Sequence, residues 1–208
     1  MAVTVRRPGR LISVDGTRSK DTLRAADALV TALKARGVEC AISRWDASGL
    51  FHELVAGAGD RVISMRTLSL VYAADLAFRL RWEIVPILDA GGVVIAASYV
   101  ETAAAFGTVC GVDERWIREL LRFAPAAQYR YLAPERKLEK TWKRRTERGY
   151  AEYCAALLEA SAPECVSRSA RRDMIAALAD TRSRGLDVEK AAAAIAKSAT
   201  GSRRASSR

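Results

Sequence analysis

Leu11 to Ser43 reads LISVDGTRSKDTLRAADALVTALKARGVECAIS, and this stretch decides the architecture. Leu11-Ile12-Ser13-Val14 is a short apolar run ending at Asp15-Gly16, the pattern of a buried strand entering a turn. From Thr22 to Arg36 apolar residues recur at helical spacing (Leu23, Ala26, Leu29, Val30, Leu33), and Gly37 supplies a C-terminal stop. Val38 to Ser43 then reads as a second strand. Strand, helix and strand in such close succession make a βαβ unit and predict a parallel sheet.

The rest of the chain extends that unit. Leu50 to Leu54 opens an apolar helix that carries the single histidine, His52, with no partner constellation for catalysis. Thr67 to Leu88 is a long apolar-rich helix, with Pro86 near its end and Gly91-Gly92 at its exit. Val93 to Ala97 is an uninterrupted apolar run of the kind found in a central parallel strand. Asp113 caps a helix from Glu114 to Phe123, and Gln128 to Leu132 is a further strand. A basic helical stretch, Glu135 to Arg148, precedes the apolar helix Tyr150 to Glu159. Two more helices follow, Arg168 to Ser183 and Asp187 to Ser198. The expected fold is α/β, a three-layer αβα sandwich around a parallel sheet. One domain spans 11–198, between a basic N-terminal extension (1–10) and a disordered basic tail (199–208).

Composition sets limits. At 208 residues, half of them apolar, the chain can bury a substantial core. The net charge of +10 fits either a polyanionic partner or a merely well-solvated surface. The four cysteines (Cys40, Cys110, Cys154, Cys165) form no C-x-x-C pair, so a zinc site is not expected. Apolar runs such as Gly91 to Ala97 fall far short of the roughly 20 residues needed to cross a bilayer. Met1 to Arg10 has no apolar core of a secretory signal. The expectation is a reduced, cytoplasmic setting without a membrane.

Several segments, in order and at matching spacing, resemble the thymidylate kinase family. These are Leu11 to Gly16 followed by Lys20-Asp21-Thr22, Tyr72-Ala73-Ala74-Asp75, and Pro86 to Ile95. Gly111-Val112-Asp113 through Leu120 and Arg148-Gly149-Tyr150 complete the set, so the similarity runs from about Leu11 to Glu159. The resemblance implies a P-loop NTPase fold with a parallel five-stranded sheet, usually in a homodimer. It also implies ATP, with Mg²⁺, as phosphate donor to deoxythymidine monophosphate. By position it assigns Asp15, Gly16, Arg18, Lys20 and Thr22 to the donor phosphates. Arg44, Tyr72 and Tyr99 fall on the acceptor side, and Lys20 with Arg144, Arg145 and Arg148 on the transferring group.

The same segments depart from the family pattern. A phosphate-binding loop G-x-x-x-x-G-K-[S/T] wraps a phosphate in successive backbone N–H groups and places a hydroxyl on the metal. Here only three residues separate Gly16 from Lys20, the second glycine is missing, and Asp21 follows the lysine. On the acceptor side, the arginine expected after Asp75 is Leu76, the Asp-Arg pair is Ala97-Ser98, and a following glutamine is Gly107. Those arginines would have formed a bidentate phosphate clamp. Tyr72 and Tyr99 fit base stacking or, equally, ordinary core packing. Only ten residues separate Leu138 from Gly149, a truncated lid, so Arg144, Arg145 and Arg148 are either catalytic or the solvated face of one basic helix.

The leading expectation is therefore a non-catalytic thymidylate kinase-like protein that binds a nucleotide, another anionic ligand or a protein partner. An active nucleoside monophosphate kinase with a rebuilt site is the alternative, with Asp15 ordering Mg²⁺. A nucleic-acid-binding module built on the basic helix, with Trp142 stacking on a base, is a third reading. No protein metal site is assigned.

Overall fold

The computed structural model describes residues 8–17, 19–58, 64–109, 111–134, 168–181 and 183–201. Strands β1 (Arg10–Asp15), β2 (Cys40–Ser43), β3 (Val93–Ala97), β4 (Tyr129–Leu132) and β5 (Arg184–Gly185) form one sheet. Its order is β2-β3-β1-β4-β5, with every neighbouring pair parallel. The expected βαβ unit is present: β1 leads through α1 (Ser19–Lys34) to β2, and β3 lies between the two strands. Gly37 ends α1 at φ +70°, a conformation cheap only for glycine, as the sequence predicts.

Helices cover both faces, because strands buried on both sides must be shielded on both sides. α1 and the last helix, α8 (Val188–Gly201), pack on Ile12, Val14, Val93 and Ile95. α2 (Leu50–Ala58), α3 (Met65–Arg79), α5 (Val100–Val109) and α6 (Glu114–Leu120) surround Leu11, Val94 and Ala96 on the other face. α7 (Arg168–Ala179) packs on α5 through Met174, Leu178 and Ala105.

The long helix read from Thr67 to Leu88 is three segments on one axis. α3 passes into a π-turn, Leu80–Ile84, and then into α4 (Val85–Asp89). Pro86 has no N–H to give to the helix ladder, and the wider register just before it absorbs that interruption. Asp113 caps α6 by accepting from Trp116 N at 2.8 Å. The stretch read as one helix to Ser183 stops at Ala179, and Arg184–Gly185 joins the sheet beside Tyr131 and Leu132. Glu135 to Arg148, Tyr150 to Glu159 and the tail from Ser202 lie outside the described residues. Among the described residues no helix is long and apolar enough to cross a membrane.

Candidate functional site

Ligands of open parallel sheets sit beyond the carboxyl ends of the strands, where the chain order reverses. Here that place is the edge formed by Asp15, Ser43 and Ala97. Two flanks meet there, the α1 side with its phosphate-loop remnant and the α3 side.

On the α1 flank, Asp15 is completely buried. Its Oδ1 accepts from Tyr99 N (2.8 Å), Thr102 N (3.0 Å) and Thr102 Oγ1 (2.7 Å). The carboxylate therefore caps the start of α5, where an anion is favoured. Its Oδ2 is buried with no hydrogen-bond partner among the described residues. Burial pushes the Asp15 carboxyl above the ordinary carboxylate range, against the pull of the bonds from Thr102 and Tyr99. Gly16 N donates to Thr102 Oγ1 at 3.3 Å. A Cβ on Gly16 would come within 2.9 Å of Thr22 Oγ1 and 3.3 Å of the Ala133 methyl, so only glycine fits this approach. Thr22 is fully buried against it. Lys20 lies in the first turn of α1 with Asp21 beside it, and the Asp21 carboxylate is buried there, 3.8 Å from Arg24.

The α3 flank is built differently. Arg79 has no exposed surface, yet no carboxylate holds it among the described residues. Its guanidinium donates from Nε to Ser43 Oγ (2.9 Å) and from its terminal nitrogens to the carbonyls of Ser98 (3.0 Å), Ser43 (3.1 Å) and Ala97 (3.2 Å). It thus ties the ends of β2 and β3 together. One helical turn earlier, buried Asp75 accepts from Ser48 N (2.9 Å), Ser48 Oγ (2.8 Å) and Asp46 N (3.2 Å). Asp46, at φ +55°, caps α2 through Phe51 N. The loop so fixed presents Trp45, whose ring lies 4.4 Å from Tyr72 and 4.3 Å from Phe51.

Between the flanks lies a pocket walled by Trp45, Phe51, Tyr72 and Phe106, with Leu68 and Ile117 behind them. Thr17, Ser69, Ser98 and Thr102 supply its hydroxyl-bearing residues. Its enclosed part measures about 50 Å³, and it opens to solvent. Tyr72 faces this space, but its hydroxyl is engaged by the carbonyls of Ser98 (3.0 Å) and Tyr99 (2.7 Å). The Tyr99 hydroxyl donates to Pro125 O at 2.9 Å, and Tyr99 does not line the pocket. Burial holds both phenols far above their usual range, so neither exchanges a proton near neutral pH.

Of the residues singled out in the sequence, Gly16 and Tyr72 line the pocket and Asp15 stands just behind it. Arg44 does not line it. Its exposed guanidinium lies 3.6 Å from Asp27 of α1. Arg18, Arg144, Arg145 and Arg148 lie outside the described residues. Trp45, Phe51 and Phe106 were not singled out, although Trp45 follows the end of β2 closely and Phe51 opens the apolar helix α2. Arg79 and Asp75 carried a further signal, charge on the same helical face as Leu68, Tyr72 and Leu76.

No protein-family model matches the chain. It is 32% identical over 106 residues to the probable thymidylate kinase 2 of Saccharolobus solfataricus, covering 49% of this chain and 50% of that protein. It is 31% identical over 119 residues to the thymidylate kinase of Rhizorhabdus wittichii, covering 54% and 57%. Over about half its length the chain is thus similar to thymidylate kinases at about 30% identity. It spans about half the length of the curated relatives it matches. Among solved structures, the thymidylate kinase of Ehrlichia chaffeensis aligns over 61% of this chain and 75% of its own, at 14% identity and a TM-score of 0.48. The parallel order β2-β3-β1-β4-β5 with helices on both faces is the three-layer α/β fold expected from the sequence.

A magnesium–ATP complex would need a free carboxylate or hydroxyl and open backbone amides at the end of β1. Among the described residues Asp15 Oδ2 is unpartnered but fully enclosed, so the donor set does not fit that need as it stands. Asp15 is enclosed by its helix cap, Thr22 is packed under Gly16, and Asp21 puts a carboxylate into the turn that would meet the phosphates.

Proposed function

We propose that this chain is a thymidylate kinase-like protein that transfers no phosphate and works as a binding or regulatory protein, holding a small ligand in the pocket beside Trp45 and Tyr72. The observation that supports it most is the burial of both carboxylates at the phosphate side. Asp15 serves as the cap of α5, and Asp21 occupies the first turn of α1. A helix N-terminus attracts a phosphate through its open N–H groups and partial positive charge, and a built-in carboxylate opposes a second anion there. Losing even one transition-state contact of this kind costs about 3–4 kcal/mol. Several altered at once leave little basis for phosphoryl transfer. The α3 flank, by contrast, keeps a fixed aromatic wall.

The test incubates the purified full chain with labelled ATP, Mg²⁺ and a panel of nucleoside monophosphates, beside Lys20→Ala. No label transfer above the no-enzyme control is expected. Transfer that disappears in Lys20→Ala would overturn the proposal in favour of an active kinase using ATP and Mg²⁺.

We also propose that the protein is a homodimer through the outer face of α3 to α4. Leu70, Phe78, Trp82 and Val85 are exposed there at helical spacing, Trp82 at 66%. A dimer in sedimentation that becomes monomeric in Trp82→Glu is expected. A wild-type monomer at micromolar concentration removes this part of the reading.

A further inference from the structure

The sheet is unevenly finished at its outer edge. β4 has four residues and β5 has two, so the register pairs only Tyr131 with Arg184 and Leu132 with Gly185. Among the described residues no strand lies beside Tyr129 and Arg130 on that side. The result is a notch of about 380 Å³ along the edge, lined by Ala127, Gln128, Tyr129, Arg130, Tyr131 and Arg184. It shares no lining residue with the pocket beside Trp45. From Tyr131 it runs toward Ala127 and the amino ends of the strands, away from the carboxyl ends at Asp15, Ser43 and Ala97.

Strand geometry decides which side chains meet there. Tyr129 and Tyr131, two positions apart, both face the layer of α1 and α8, and the register sets Arg184 beside Tyr131 on that same face. Arg130 points to the opposite face, where its guanidinium lies 3.4 Å from Glu101. Arg184 is exposed, and its guanidinium has no hydrogen-bond or ion-pair partner among the described residues. The Tyr131 hydroxyl has none either, although the residue is only 9% exposed. A buried phenol ordinarily finds a partner. Burial pushes this phenol up, nearby Tyr129 adds to the shift and the Arg184 charge opposes it, so the hydroxyl keeps its proton near neutral pH. Tyr129 differs, because its hydroxyl donates to Ser198 Oγ of α8 at 2.9 Å.

A guanidinium and a phenol O–H, side by side and both unspent, are donors waiting for an acceptor. An oxyanion is their complement: Arg grips carboxylate or phosphate oxygens in a fork, and the O–H adds a further bond. The two tyrosine rings and Ala127 offer apolar surface next to them. The volume is that of a small-molecule site and exceeds what a lone phosphate fills. We infer that this notch binds a small molecule carrying a carboxylate or phosphate on a compact apolar body. Arg184 and the Tyr131 hydroxyl hold the oxyanion, and the body lies along Tyr129 toward Ala127. The inference does not rest on the proposed function, since the two sites have no residue in common.

Calorimetry on the full chain tests it with benzoate, phenyl phosphate, uncharged benzyl alcohol and inorganic phosphate. At least one of the two aromatic anions is expected to bind in the millimolar range or tighter, about tenfold or more tighter than benzyl alcohol. Whichever anion binds better identifies the headgroup. Arg184→Met, a change at an exposed residue, should weaken that anion about tenfold. Tyr131→Phe removes the hydroxyl and keeps the ring, and should weaken it about threefold. Arg24→Met lowers the net charge equally on the α1 flank and should leave the affinity unchanged. The inference is overturned if neither aromatic anion binds at millimolar concentration, or if binding survives Arg184→Met. An equal loss in Arg24→Met also overturns it, because net charge alone would then explain the binding. Inorganic phosphate as tight as the better aromatic anion overturns it too, since the apolar body would contribute nothing.

Discussion

The two flanks of the strand ends begin from the same sheet and diverge in how they use charge. On the α3 flank, Asp75 and Arg79 turn their charge toward backbone groups of other elements, so that a loop and two strands are held by three or four bonds each. On the α1 flank, Asp15 is taken up as the cap of α5, and Asp21 is buried in the first turn of α1. The first arrangement maintains a cavity wall. The second uses the charge inside the α1 flank itself, which is what the proposed non-transferring function rests on. Charge at the end of a strand is thus no sign of catalysis by itself. What decides is whether its hydrogen-bonding capacity is left for a ligand.

The largest expected effect belongs to Arg79. Arg79→Met leaves the Ser43 and Ala97 carbonyls without their donor, and buried unsatisfied groups cost about 1–3 kcal/mol each. Urea denaturation should show a loss of about 3 kcal/mol or more, by the same reckoning. Arg24→Met on the α1 flank, at an exposed residue, should change stability by no more than about 0.5 kcal/mol. Equal effects at the two arginines would mean that the flanks do not differ in the way described.

Asp75 comes next. Asp75→Ala frees the N–H groups of Asp46 and Ser48, and hydrogen bonds to a charged group are worth about 1.5–3 kcal/mol. The informative readout is hydrogen exchange: the Ser48 and Phe51 amides should exchange much faster while those of β1 and β3 stay protected. Asp75→Asn should recover part of the protection, since its carbonyl oxygen can still accept from Ser48. Uniform loss of protection would show that Asp75 supports the whole core and not this loop.

How much of this was legible in the sequence follows from the range of the signals. The βαβ unit, Gly37, the Asp113 cap and the fully buried β3 are local patterns, and each was readable because periodicity and capping act within a few residues. β5 was not readable, because two residues, Arg184 and Gly185, become a strand only through pairing with Tyr131 and Leu132. The π-turn was signalled only by Pro86. At the site, the sequence showed departures from the family's phosphate-binding pattern, and Tyr72, which it singled out, lines the pocket. It could not show that Arg44 turns to Asp27, or that Asp15 spans 87 positions of chain to cap α5 through Thr102. Those are choices among partners brought together by the fold.

Asp15 offers a pH test of the α1 flank. Its folded pKa is raised, so at pH values between the unfolded and folded pKa the native chain keeps a proton that the unfolded chain has released. Its contribution is therefore fully present below the ordinary carboxylate value of about 4 and is lost as pH rises through the raised folded value. Asp15→Asn keeps an acceptor for Tyr99 and Thr102 but cannot ionise. The melting temperature of wild type minus that of Asp15→Asn should fall as pH increases from about 3.5 toward 7. A difference that stays level, or rises, would mean that the carboxylate is ionised at no net cost inside the α5 cap.

The smallest effect is expected at Arg44, which the family resemblance places on the acceptor. Its guanidinium is well exposed and pairs with Asp27, a contact worth no more than about 1 kcal/mol after screening. Arg44→Ala should therefore leave the denaturation midpoint nearly unchanged and leave the affinity of a neutral ring ligand within twofold. Raising the salt concentration should not alter that result, because a neutral ligand offers Arg44 no charge to hold. If Arg44→Ala instead weakened a nucleoside monophosphate tenfold while sparing the nucleoside, the loop after β2 would carry a phosphate contact in the bound state. The contrast between an open aromatic flank and a closed phosphate flank would then fail at the residue that joins them.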